Sequence, residues 1–150
     1  MQVDPIRSKK DLEKIADILK NQNLRDYVFF KTGINFGLRI SDILALNVGD
    51  VKDKQQITLI EKKTKKKKTI PINIIMSRLF KQITKDRLLN EPLFINHMGQ
   101  RLSRISAYRI LKSACEQAQI NGNFGTHTLR KTFGYHFYRQ FNDIVMLQKI

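Results

Sequence analysis

At residues 55–73 the hydrophobic period of the chain changes, and that change limits the fold class. The segments QQITLIEKK and KKTIPIN are two Ile- and Thr-rich runs on either side of a lysine-rich turn, the pattern of a β-hairpin. Elsewhere the apolar residues mostly keep helical spacing. Leu12, Ile15, Ala16 and Leu19 fall at i, i+3, i+4 and i+7, behind a capping-box-like start at Ser8 and Asp11. NLRDYVFFKTGINFG is apolar nearly all round, as in a buried helix, and Gly37 is placed to end it. LRISDILALN predicts a short helix of about two turns.

After the hairpin, Ile75, Leu79, Phe80 and Ile83 return to helical spacing. EPLFINHMGQR reads as a loop with a short extended piece. Ser103 is placed to cap a helix whose Ala107, Leu111, Ala114, Cys115 and Ala118 share one face. A last helix carries Leu129, Phe133, Phe137 and Phe141 every four residues, with Thr126 placed to cap it. The expectation is one mainly α domain with a small antiparallel β-hairpin, a size that suits 150 residues. The closing segment NDIVMLQKI is apolar and runs to Ile150 with no Gly and no polar tail. It suggests a chain cut before its natural end.

Charge narrows the partner. Lys and Arg total 28 against 13 Asp and Glu, a formal net charge of +15. A surplus of that size fits a polyanion, and nucleic acid above others. The single cysteine, Cys115, cannot form an intrachain disulfide, reads as a small buried hydrophobe and fits a cytoplasmic chain. His97, His127 and His136 are too scattered for zinc-ligand spacing, so no metal is expected. No run is apolar enough to span a bilayer, and the N-terminus lacks the apolar region of a signal peptide.

Three basic sites carry the chemistry. Arg39, in NFGLRISDILALNVGD, follows the Gly-ended helix and opens the next. Asp42 stands three residues on, where a helical i,i+3 pair would hold the guanidinium. Lys62–Lys68, KKTKKKK, fill the hairpin turn, and Lys63 opens it eight residues before Pro71. In FGTHTLRKTFGYH, His127 and Arg130 lie one helical turn apart on one face. An imidazole and a forked guanidinium converging there suit an anion with several oxygens, such as a phosphate. Each site also has an ordinary reading: a surface ion pair, a solvated loop and a helix-start histidine.

Taken together and in this order, GLRISDILALNVGD, a hairpin lysine eight residues before a proline, and HTLRKTFGYHF resemble the catalytic domain of the tyrosine recombinases, the phage-integrase family. The resemblance covers almost the whole chain and is strongest over Thr32–Val51 and Thr126–His136. PIRSKKDLEKI also looks like the linker and first helix of that domain.

The resemblance implies a DNA breaking-and-rejoining fold, C-terminally truncated here. It implies cleavage through a 3′-phosphotyrosyl link without metal or cofactor. Arg39 and Arg130 match the arginines that grip the scissile phosphate. His127 matches a proton-transfer partner, and Lys63 matches the lysine that protonates the leaving oxygen. Asp42 would support Arg39. Lys62, Lys65, Lys66, Lys67, Lys68 and Lys131 would face the DNA backbone. The family's second His or Trp and its nucleophilic tyrosine would lie beyond Ile150, and its core-binding domain would be absent. The implied partner is double-stranded DNA at a recombination site. The full-length protein would be a tetramer on DNA, and residues 1–150 alone a monomer. The rivals are a basic nucleic-acid-binding module without chemistry and a type IB topoisomerase-like domain.

Overall fold

The computed structural model describes residues 2–125 and 127–148, with side chains described through 140. Within these, helices α1 (Lys9–Gln22), α2 (Leu24–Phe36), α3 (Ile40–Leu44) and α4 (Val48–Val51) precede a two-stranded sheet. The sheet pairs β1 (Gln56–Ile60) with β2 (Lys67–Pro71), antiparallel, with Gln56 opposite Pro71 and Ile60 opposite Lys67. Helices α5 (Ile74–Thr84), α6 (Arg104–Gln117) and α7 (Thr128–Gln148) follow. The mainly α chain with one hairpin is therefore the observed architecture.

The helix ends form where local chemistry places them. Ser8 accepts a hydrogen bond from Asp11 N–H, and Ser103 does the same for Ser106 N–H. Each satisfies one of the amide donors that a helix N-terminus leaves open. Gly37 ends α2 at φ 65°, in the left-handed region that glycine enters without a Cβ penalty.

The core is built around α2, which packs against α1, α5 and α7. Its Val28, Phe29, Phe30, Thr32, Gly33 and Phe36 are all buried. Phe29 meets Phe94 edge-on with ring centroids 5.6 Å apart, and Phe36 stacks on Phe80 at 6.0 Å. Both distances are in the favourable range for aromatic pairs. Helix α6 turns Ala107, Leu111, Ala114 and Cys115 inward, the expected face, and burial pushes the Cys115 thiol up to about 11. That thiol is packing material rather than a nucleophile.

Three expectations shift. The two-turn helix at LRISDILALN is only the five-residue α3. The Leu44 and Leu46 carbonyls accept from the Arg101 guanidinium at 2.7 and 3.1 Å, and Leu93 N–H also donates to Leu46. These donors from elsewhere in the chain satisfy carbonyls at and just beyond the end of α3, which the helix itself leaves open. On α5 the buried stripe is Met76, Phe80 and Thr84, while Ile75 is 60% exposed. Thr84 can be buried because its hydroxyl donates to the Phe80 carbonyl at 2.6 Å. On α7 Leu129 is buried and Phe137 is 47% exposed. The Phe141 side chain, the Thr126 cap and the last two residues lie outside the described set.

The N-terminal segment is laced to α7 and the loop before it. Asp4 N–H donates to the Asn123 carbonyl at 2.7 Å, and Ile6 N–H donates to Thr132 Oγ1 at 2.9 Å. Lys131 Nζ donates to the Val3 carbonyl at 3.0 Å, and His136 Nε2 lies 2.9 Å from the Ile6 carbonyl oxygen. These bonds fix the base of the helix that carries Arg130, with His127 just before it, against the rest of the domain.

Candidate active site

Arg39, Ile40, Ser41, Lys62, Lys63, Arg104 and His127 line one cleft of about 370 Å³. Four separate parts of the chain supply them: the α2–α3 junction, the hairpin turn, the first residue of α6 and the residue before α7. Arg130, half-buried, lies in the first turn of α7 and within electrostatic reach of both His127 and Glu61. Arg39, Lys63, His127 and Arg130, separate in sequence, thus fall in one region.

Asp42 does not hold Arg39. It is buried at 3% exposure, its Oδ1 accepts the Lys62 N–H at 3.0 Å, and its Oδ2 has no hydrogen-bond partner among the described residues. The reason lies in the backbone. Arg39 is the residue before α3, extended at φ −63°, ψ 149°, so its side chain departs before helical spacing begins. The i,i+3 geometry that would bring the two side chains together therefore does not apply. Asp42 instead bonds the backbone where the lysine turn starts.

Glu61 takes the place expected for Asp42. Its Oε2 accepts from Arg39 NH1 at 3.0 Å, and its Oε1 accepts from Thr64 Oγ1 at 3.0 Å. The Thr64 hydroxyl bond and the positive charges of Lys68, Arg39 and Arg130 hold its carboxyl below the usual carboxylate value, so it is ionised at neutral pH. Sequence reading missed it, although a signal was present. Ile57 is buried, Leu59 half-buried and Glu61 buried, so the inward alternation of β1 runs on to Glu61.

Among the turn lysines, Lys62 and Lys63 line the cleft, and Lys68 is half-buried near Glu61. Lys65, Lys66 and Lys67 are exposed on the hairpin. Lys131 is tethered to the Val3 carbonyl. Arg104 was also missed. Its position directly after a capping serine was the available signal, because the first residue of a helix can project toward whatever the helix start faces.

His127 has its imidazole pKa lowered. Desolvation of the ring comes first, followed by the positive charges of Arg104, Arg130, Lys131 and Lys63. The ring is therefore neutral at neutral pH and able to accept a proton. Among the described residues no cluster of His, Cys, Asp or Glu could hold a metal ion, and no helix is long and apolar enough to cross a membrane. Cationic donors set around one cleft, with a neutral imidazole beside them, can bind and polarise a phosphodiester.

A second cleft, of about 560 Å³, is lined by Arg7, Lys9, Tyr135, His136, Arg139 and Gln140. Much of its polar lining is already engaged. The Arg7 and Arg139 guanidinium carbons lie 5.8 and 5.5 Å from the Tyr135 ring centre. Arg139 also donates to the Tyr135 hydroxyl at 2.7 Å.

The chain is similar in sequence and in fold to known proteins. The chain is 47% identical over 149 residues to the probable integrase/recombinase YoeC of Bacillus subtilis (strain 168), covering 99% of this chain and 82% of that protein. It is 26% identical to the tyrosine recombinase XerC of Histophilus somni (strain 2336), covering 93% of this chain but 50% of that one. The chain thus spans about half the length of its Xer relatives. Among solved structures, the lambda integrase catalytic core superposes with a TM-score of 0.76 at 16% identity, covering 95% of this chain and 86% of that one. A structure of XerH bound to its difH substrate superposes at 0.73 and 18% identity, covering 99% and 47%. The model of the phage integrase family matches residues 7–150, and the chain belongs to that family.

Proposed function

We propose that this chain is the catalytic-type domain of a site-specific tyrosine recombinase that cuts and rejoins double-stranded DNA. The observation that carries the reading is the convergence of Arg39, Lys63 and His127 on one cleft, with Arg130 in reach of it. Relatives named as integrases and recombinases support the same activity. In this reading the core-binding domain and the tyrosine-bearing segment of the working enzyme lie outside residues 1–150. The working protein would act in the cytoplasm as a tetramer on DNA.

In this reading the tyrosine oxygen attacks the phosphorus, forming the 3′-phosphotyrosyl bond and breaking the bond to the 5′-oxygen. Negative charge grows on the non-bridging oxygens, and the forks of Arg39 and Arg130 are set to receive it. Neutral His127 accepts the nucleophile's proton. Lys63 delivers a proton to the departing 5′-oxygen, leaving a free hydroxyl. Lys62 and the exposed turn lysines contact the flanking phosphates.

The test compares Arg39→Ala and Arg130→Ala in a form of the protein extended past Ile150 with the family's tyrosine segment. A recombinase loses on the order of a hundredfold or more in cleavage for each. A passive nucleic-acid binder loses only a modest part of its affinity and shows no cleavage to lose. Supercoil relaxation without strand exchange would assign the chain to the topoisomerase-like alternative.

A further inference from the structure

We infer that Glu61 is a positioning residue: its carboxylate, fixed at one oxygen by Thr64, holds the Arg39 guanidinium in place with the other. The consequence drawn for catalysis rests on the recombinase reading above. An arginine side chain has several rotatable bonds, and a donor aimed in advance costs less ordering when the phosphate arrives. Arg39 donates to Glu61 through NH1 at 3.0 Å, a bond that leaves its other guanidinium donors available for an anion. The Arg39 and Glu61 side chains are 21% and 11% exposed, so water competes little for the bond.

The link also couples two elements. Glu61 N–H donates to the Lys66 carbonyl, and the Glu61 carbonyl accepts from Lys65 N–H, both at 2.9 Å. These bonds close the lysine turn, so the residue that holds Arg39 also forms the base of the loop that carries Lys63. The arginine and the lysine are thereby set relative to one another by one side chain and its own backbone.

A carboxylate facing a cationic cleft opposes the binding of DNA. That gives a signature that a merely structural role does not produce. In the extended protein, Glu61→Ala should lower single-turnover cleavage at saturating DNA by on the order of tenfold or more. DNA affinity should stay unchanged or tighten a few-fold, because a negative charge has left the cleft. Glu61→Gln, which keeps an acceptor for Arg39, should retain cleavage within about threefold of the parent. Faster or unchanged cleavage in Glu61→Ala overturns the inference. So does a parallel fall in cleavage, affinity and melting temperature, or a Glu61→Gln variant no better than Glu61→Ala.

A second arm uses the 150-residue chain and needs no chemistry. Nitrogen NMR of the arginine side chains should show slow rotation of the Arg39 guanidinium in the parent and in Glu61→Gln. Rotation should be fast in Glu61→Ala, and equal rotation in all three overturns the inference. If Arg130→Ala leaves cleavage intact, the recombinase reading fails instead. The NMR result still stands on its own in that case.

Discussion

Leu129 lies directly on Gly33. A methyl group added at Gly33 would overlap the Leu129 side chain, and four residues on, one at Gly37 would overlap Phe133. The helix that carries Arg130 is therefore seated on the helix that leads into Arg39, through two positions without side chains. The spacing between the two arginines is set by this close approach. Gly33→Ala should destabilise the fold by about 1–3 kcal/mol through overpacking. Gly37→Ala adds the strain of a left-handed backbone at φ 65°. Denaturant titration checks both, and a Gly33→Ala protein as stable as the parent would contradict this packing.

DNA binding by residues 1–150 should be strongly salt-dependent and weakly selective for sequence. The motive is the net charge of +15 together with lysines grouped on one exposed hairpin. Each neutralised phosphate releases counterions, so the logarithm of affinity should fall roughly linearly with the logarithm of salt. A fluorescence-anisotropy titration at several salt concentrations reads the slope. An affinity unchanged from low to moderate salt would contradict it.

Lys63→Ala should slow cleavage far more than Lys67→Ala in the extended protein. Lys63 lines the cleft with Arg39 and His127, whereas Lys67 is exposed in β2. A positioned general acid contributes on the order of a hundredfold, while one exposed charge contributes through weak, screened attraction. Equal losses for the two variants would mean the hairpin acts only as a cloud of charge.

The His127 titration should respond to Arg104. Desolvation and then the Arg104 charge hold the imidazole below its ordinary value. Arg104→Ala removes that charge, so the protonated ring becomes easier to form and the midpoint rises toward the ordinary imidazole value. NMR of the His127 ring across the acid range measures it. A midpoint that stays put or falls on substitution would contradict the placement of Arg104 beside His127.

Much of this was legible in the sequence because much of it is local. Ser8, Ser103 and Gly37 mark helix ends through bonds and dihedrals that span a few residues. Arg39, Lys63, His127 and Arg130 were singled out by the order of their motifs and by the family those motifs resemble. What escaped was set by distant contacts. Arg101, 57 residues away along the chain, takes the Leu44 carbonyl at the end of α3. Glu61 reached Arg39 across 22 residues, a separation that no local spacing rule covers. On α5 the side turned to the core runs through Met76, Phe80 and Thr84, and Ile75 faces out.

The central claim, a phosphodiester-cleaving cleft whose attacking tyrosine is not among residues 1–150, can be tested in one measurement. Tyr135 and Tyr138 follow Arg130 on α7 by five and eight residues, roughly 8 and 12 Å further along the axis. In-line attack needs an oxygen about 3–3.5 Å from the phosphorus that Arg130 is proposed to grip. The measurement incubates a nicked suicide duplex carrying a family-type site with the chain and with its extended form, then resolves covalent adducts by denaturing electrophoresis. The account predicts no adduct with residues 1–150, and an adduct with the extended form that Arg130→Lys nearly abolishes. An adduct formed by residues 1–150 and lost in Tyr135→Phe or Tyr138→Phe would contradict it.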